Sequence, residues 1–154
     1  MHKAVIDTSV LIICEKIGIL SLLNLLFDPI ICPSQVIREY GATPQKLEIS
    51  DCYNKQIFSL LSSDLNLGAG EAAAISLSFS LGSWLLIDDL RGRKIARDMG
   101  IPIMGTIGII GKLRAQGLIN NAYDKGCEMK EKGYWIAEEL LQQLLSLDNG
   151  KGKR

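Results

Sequence analysis

Four carboxylates stand at points in this sequence where side chains can converge on a ligand. Asp7 and Asp88 each directly follow a short apolar run, Glu71 opens a helical stretch behind Gly68-Ala69-Gly70, and Glu39 lies in the helical stretch after a second apolar run. Carboxylates gathered without a partner repel one another and take up protons, a cost that a cation removes. A hard divalent ion, Mg²⁺ or Mn²⁺, suits such a set of oxygen donors and keeps several of its waters. Beside a phosphoryl group it lowers the pKa of a bound water and stabilises charge on oxygen, the requirements of phosphodiester hydrolysis. Other reagents are scarce. The only histidine is His2, so catalysis by an interior imidazole and zinc sites that need histidine are nearly ruled out.

A substrate rich in phosphate needs positive charge near those acids. Arg91, Arg93, Lys94 and Arg97 come directly after Asp88, with Lys112 and Arg114 one helix later, and this is the only internal basic cluster. Arg93 and Arg97 are four apart and share a helix face, so both can approach a phosphate backbone. The same face also reads as an ordinary solvated one, paired with Asp89 or Asp98. Over the whole chain 17 Lys and Arg balance 17 Asp and Glu, which excludes a polybasic binder. Aromatic residues make up only 6%, so recognition through backbone and shape is expected ahead of base stacking.

The elements that position these groups follow from hydrophobic period and punctuation. Short apolar runs at 3–6, 30–32, 84–87 and 101–104 read as buried strands. Helical patterns follow through Val10 to Cys14, at 20–27, over 34–40 with Ser34 as N-cap, and at 71–81, 91–99, 106–116, 122–132 and 136–147. Glycines at 41, 82, 100 and 117 stop four of these helices. The polar, Pro-containing stretch 42–54 is expected to be a loop, and 55–62 fits either strand or helix. Short strands alternating with helices predict a three-layer α/β/α sandwich with a mainly parallel central sheet. Such sheets bind ligands beyond the carboxyl ends of their strands, and Asp7 and Asp88 fall there together. The macrodipole favours Glu71 in the first turn of its helix, and the flanking glycines are expected to let the chain turn tightly.

A length of 154 residues fits one domain over 1–149, with 150–154 as a frayed tail. The hydrophobic share of 47% against 22% charged residues is that of a globular chain. Cys14, Cys32, Cys52 and Cys127 lack a CxxC spacing and read as reduced thiols, which points to the cytoplasm. The first residues carry no signal-peptide core, and the greasy stretch 17–27 is too short and interrupted to span a bilayer. The Leu-rich stretches 20–26 and 140–147 are expected to serve as core and as the surface of a homodimer.

Taken in order and spacing, Val5-Ile6-Asp7-Thr8-Ser9, Val36-Ile37-Arg38-Glu39-Tyr40, Leu67-Gly68-Ala69-Gly70-Glu71-Ala72-Ala73-Ala74-Ile75 and Leu85-Leu86-Ile87-Asp88-Asp89 resemble the PIN-domain ribonucleases. The later run from Asp88 through Arg91, Gly92 and Arg93 to Ala96, followed by Gly105-Thr106-Ile107-Gly108, is similar to a prokaryotic subgroup related to the VapC toxins. The resemblance implies that Asp7, Glu39, Glu71 and Asp88 are the acidic quartet that holds Mg²⁺ or Mn²⁺. It gives Thr8 or Ser9 the part of the small hydroxyl residue that supports the first acid. Glu71 departs from the aspartate common at the third position in VapC toxins. Asp89 substitutes for or supplements Asp88, but alternation along an extended chain points it the other way, so Asp88 is preferred. Thr106 reads as a helix cap that also supports the site, and Arg91, Arg93 and Arg97 as substrate contacts. The implied function is a metal-dependent endoribonuclease acting on RNA, the toxin of a pair with an antitoxin protein.

Two other readings compete. A non-catalytic binding module on the same fold is one, although all four acids are present. An aspartate-based phosphotransfer domain is the other. It lacks a second aspartate two residues after Asp7 and a lysine directly after the strand at 101–104.

Overall fold

The computed structural model describes residues 1–150, so the expected tail at 150–154 lies, apart from Gly150, outside the described residues. Five short strands form the centre: β1 (Ala4–Ile6), β2 (Ile30–Cys32), β3 (Leu47–Ile49), β4 (Trp84–Leu86) and β5 (Ile103–Met104). They pair in the order β3-β2-β1-β4-β5, and every pairing is parallel. β1 lies in the middle with Ala4, Val5 and Ile6 wholly buried, which is why it reads as an unbroken apolar run.

Helices cover both faces, and the pleat sorts the strand residues between them. Ala4, Ile6, Ile30, Cys32 and Leu86 pack into one core with α1 (Thr8–Lys16), α6 (Thr106–Ala115), α7 (Ala122–Glu131) and α8 (Glu138–Asp148). Val5, Ile31, Leu85 and Ile87 pack into the other with α4 (Ala69–Leu81) and α5 (Leu90–Asp98). The result is the three-layer α/β/α sandwich, with a sheet that is parallel throughout. Of the Leu-rich stretches, Leu23, Leu141 and Leu144 are buried in the first core, while Leu25 is 49% exposed.

Four local elements differ from or complete the sequence expectation. The stretch expected as a loop at 42–54 contains β3, an edge strand whose Glu48 and Ile49 are exposed. It is held by backbone pairing to β2, and a strand of three residues inside a polar stretch is too short to show a period. The ambiguous segment at 55–62 is helical: α3 (Lys55–Ser59) starts on the Asn54 side chain, which accepts from the Gln56 and Ile57 amides, and a π turn (Leu60–Asp64) follows. The helical stretch after α1 is a 3-10 turn (Leu20–Leu25). In α2 (Ser34–Tyr40) the N-cap is Pro33, and Ser34 is the first helical residue. Its amide and hydroxyl donate to the Asp51 carboxylate at 2.9 and 2.6 Å, and this charged acceptor satisfies one of the free amides of the first turn.

At the far end of the helical layer, Asp148 closes α8 onto its neighbours. It accepts from Arg114 Nε at 3.0 Å and from the Ala122 and Tyr123 amides at 2.8 and 2.9 Å. Arg114 is thereby committed to the fold.

Candidate active site

The carboxyl ends of β1 and β4 lie side by side, and the Asp7 amide donates to Leu86 O at 3.0 Å. Asp7 is the N-cap residue of α1, yet its side chain makes no capping bond and is buried. Ser9 Oγ donates to Asp7 Oδ2 at 3.2 Å. Burial pushes the Asp7 carboxyl up to about 6 against the pull of the Thr8 backbone and the Ser9 hydroxyl, and the Glu39 and Asp89 charges add to the rise.

Glu39 reaches the same place from α2. Its Oε2 accepts from Thr8 Oγ1 at 2.9 Å and its Oε1 from the Gly70 amide at 3.1 Å, in the first turn of α4. A β-carbon on Gly70 would lie 2.7 Å from the Glu39 carboxyl carbon. Gly70 therefore serves close approach: its φ is not positive, so the tight turn expected of it is not its function.

Glu71 is next to Gly70, at the dipole-favoured start of α4. Its Oε1 is buried and receives no hydrogen bond. That atom and Asp89 Oδ2 lie 2.8 and 3.5 Å from where a β-carbon of Gly92 would stand, so the two carboxylates face each other over a glycine. Burial first, then the Asp89 and Asp7 charges and the contact with Asp89, raise Glu71 to about 7, while Arg91 opposes the rise.

The neighbouring aspartates divide differently from the sequence expectation. Asp89 borders Asp7 and Glu71, and its Oδ2 also accepts from the Gly92 amide at 2.8 Å as the cap of α5. Asp88 turns to α6, where Thr106 donates to it twice, from its amide at 2.8 Å and its hydroxyl at 2.6 Å. Beyond β4 the pair still follows the pleat: Asp88 continues the Leu86 face toward α6, and Asp89 continues the Leu85 and Ile87 face, which Val5 and then Asp7 share in β1. The alternation therefore holds, with the two aspartates on the opposite faces from those expected. Thr106 is the first residue of α6, with Gly105 as N-cap, and it holds Asp88 in place of capping its own helix.

The basic cluster also separates. Arg91 donates to the backbone carbonyls of Leu65 and Asn66, tying down the turn that leads to α4. Lys94 pairs with Asp98 at 3.8 Å, and Lys112 lies over the Phe27 and Trp84 rings. Arg93 is half-buried, with Nη1 donating to Ile87 O at 3.0 Å, and Arg97 is exposed one turn further along α5. The glycines at 70, 92 and 105 were missed as site residues. Their signal is that each lies within two residues of a site acid, arginine or Thr106.

Among the described residues, no three Asp, Glu, His or Cys side chains stand close enough to cage an ion unaided. The donor set still fits a hydrated hard cation. Asp7, Glu39, Glu71 and Asp89 offer only oxygen, they repel one another, and one buried carboxylate oxygen has no donor. No thiolate competes, since burial holds Cys14 and Cys32 up at about 12.

No curated protein and no solved structure matches the chain. A family model described as a PIN domain matches residues 3–149, a span that contains every acid named above. PIN domains are generally nucleases and typically use divalent metal ions. With the all-parallel sheet and the acids at its carboxyl edge, that match means the chain belongs to the PIN-domain family.

Proposed function

We propose that this protein is a metal-dependent endoribonuclease of the VapC-related prokaryotic branch of its family. In this reading it is the toxin of a toxin–antitoxin pair, acts on RNA in the cytoplasm as a homodimer, and has an antitoxin protein as partner. The observation that carries the enzymatic part is Glu71 Oε1, buried and without a donor, facing Asp89 beside a buried Asp7. Carboxylates gathered in that state take up protons or a cation, and at neutral pH a hard cation relieves the repulsion of all of them at once.

Asp7, Glu39, Glu71 and Asp89 are the residues proposed to hold Mg²⁺ or Mn²⁺. Bound there, the ion would supply Lewis acidity and an activated water for hydrolysis. Ser9 orients Asp7 and Thr8 orients Glu39. Asp88, the fourth acid expected from sequence, is proposed to act through Thr106, fixing the start of α6 against the end of β4. Arg93 and Arg97 are proposed to meet the phosphates of the substrate, whereas Arg91 shapes the turn at 65–66.

The test is cleavage of single-stranded RNA by purified protein with Mn²⁺ or Mg²⁺. EDTA should stop it, and Asp7→Asn should abolish it with the circular dichroism spectrum unchanged. Equal cleavage by wild type and Asp7→Asn overturns the reading.

A further inference from the structure

We propose that Arg93 grips the scissile phosphate, and that Arg97 binds a neighbouring phosphate and contributes only to affinity. This rests on the nuclease reading above and assigns separate tasks to arginines that sequence alone treats alike.

Arg93 is anchored where its neighbours are not. One N–H of Nη1 is spent on Ile87 O, directly beyond β4, and the rest of the guanidinium has no protein partner among the described residues. It makes no ion pair there, although the Asp88 carboxylate lies on the other side of Gly105. Gly105 leaves the space: a β-carbon on it would lie 2.6 Å from Arg93 Nη1 and 2.7 Å from Asp88 Oδ1. A half-buried cation with free donors, fixed by one bond at the strand end next to Asp88 and Asp89, is arranged for an anion that arrives from outside. Arg97 is four residues on, exposed and without such an anchor, so its side chain must be ordered by the ligand itself.

In hydrolysis a water oxygen bonds to phosphorus while the bond to the departing ribose oxygen breaks. The water gives up one proton and the departing oxygen takes one. Charge gathers on the non-bridging oxygens, and a preorganised guanidinium there favours the transition state over the bound substrate. Removing it should therefore lower kcat, while losing an exposed phosphate contact should raise KM.

The experiment measures kcat and KM on single-stranded RNA for wild type, Arg93→Ala, Arg93→Lys and Arg97→Ala. Arg93→Ala should lose about 100-fold in kcat with little change in KM, and millimolar guanidinium should restore part of it. Arg93→Lys should recover a fraction only, since an ammonium cannot hold Ile87 O and fork onto a phosphate together. Arg97→Ala should show the reverse split. A loss confined to KM in Arg93→Ala, or no rescue by guanidinium, overturns the proposal. The salt dependence of RNA binding is read separately in metal-free buffer. Arg93→Ala should flatten the slope of log K against log salt by about 0.7, and an unchanged slope overturns the phosphate contact. Absence of cleavage by wild type would defeat the nuclease reading alone, leaving this slope to decide on Arg93.

Discussion

Glu39 Oε1 accepts from the Gly70 amide at 3.1 Å, a bond between two helices that are 31 residues apart along the chain. It sets the Glu39 carboxylate against the first turn of α4, beside Glu71. No side chain fits on Gly70 without moving that carboxylate. Gly70→Ala should weaken Mn²⁺ binding by roughly 10- to 100-fold, as the loss of an orienting partner does. Alanine favours the helix by about 1 kcal/mol, so thermal stability should barely fall. Calorimetric titration with Mn²⁺ and a melting curve read the two effects side by side.

The raised carboxyls make the metal-free protein sensitive to pH. Asp7 moves from 3.8 to about 6 and Glu71 from 4.5 to about 7, so the folded state binds protons more tightly than the unfolded chain. Stability of the metal-free protein should then be greatest at acid pH and decline as pH rises from about 4 to about 7. For the buried Asp7 this amounts to on the order of 3 kcal/mol. Adding Mg²⁺ should raise Tm more at pH 8 than at pH 5, and binding near pH 6 should release protons. A Tm gain that is the same at both pH values contradicts the cluster described.

Asp88 and Asp89 should part company on mutation. Asp88→Asn keeps one acceptor for Thr106 and loses the other, at a cost of about 1–2 kcal/mol, with Mn²⁺ affinity nearly intact. Asp89→Asn keeps a good N-cap for α5, so it should spare stability but weaken Mn²⁺ by at least about tenfold. Denaturant melts and metal titrations of the two variants discriminate the roles.

Arg91→Ala should leave the salt slope of RNA binding unchanged, because that guanidinium is occupied by the Leu65 and Asn66 carbonyls. Hydrogen exchange should quicken across residues 64–68 instead. A slope as shallow as that of Arg93→Ala would return Arg91 to the substrate path.

The sheet was legible because strands buried on both faces must be apolar throughout, and Ala4–Ile6, Ile30–Cys32 and Trp84–Leu86 announce themselves that way. β3 escaped notice because an edge strand needs only backbone partners. Asp7, Glu39 and Glu71 could be picked out by their place after or within periodic elements. The choice between Asp88 and Asp89 depended on which face of the pleat carries α4 and which carries α6, and that is settled by packing between elements far apart along the chain. The committed arginines could not be recognised from spacing: the partners of Arg91 are carbonyls, and that of Arg114 is an aspartate 34 residues away.

Asp148 holds a lesson for handling the molecule. Its carboxylate buckles Arg114 and the opening of α7 to the last turn of α8. An affinity handle appended after a spacer leaves that buckle fastened. A deletion that reaches it frees a cation and orphans two amides in one stroke, loosening α6 and, through it, the α1 scaffold from which Asp7 projects.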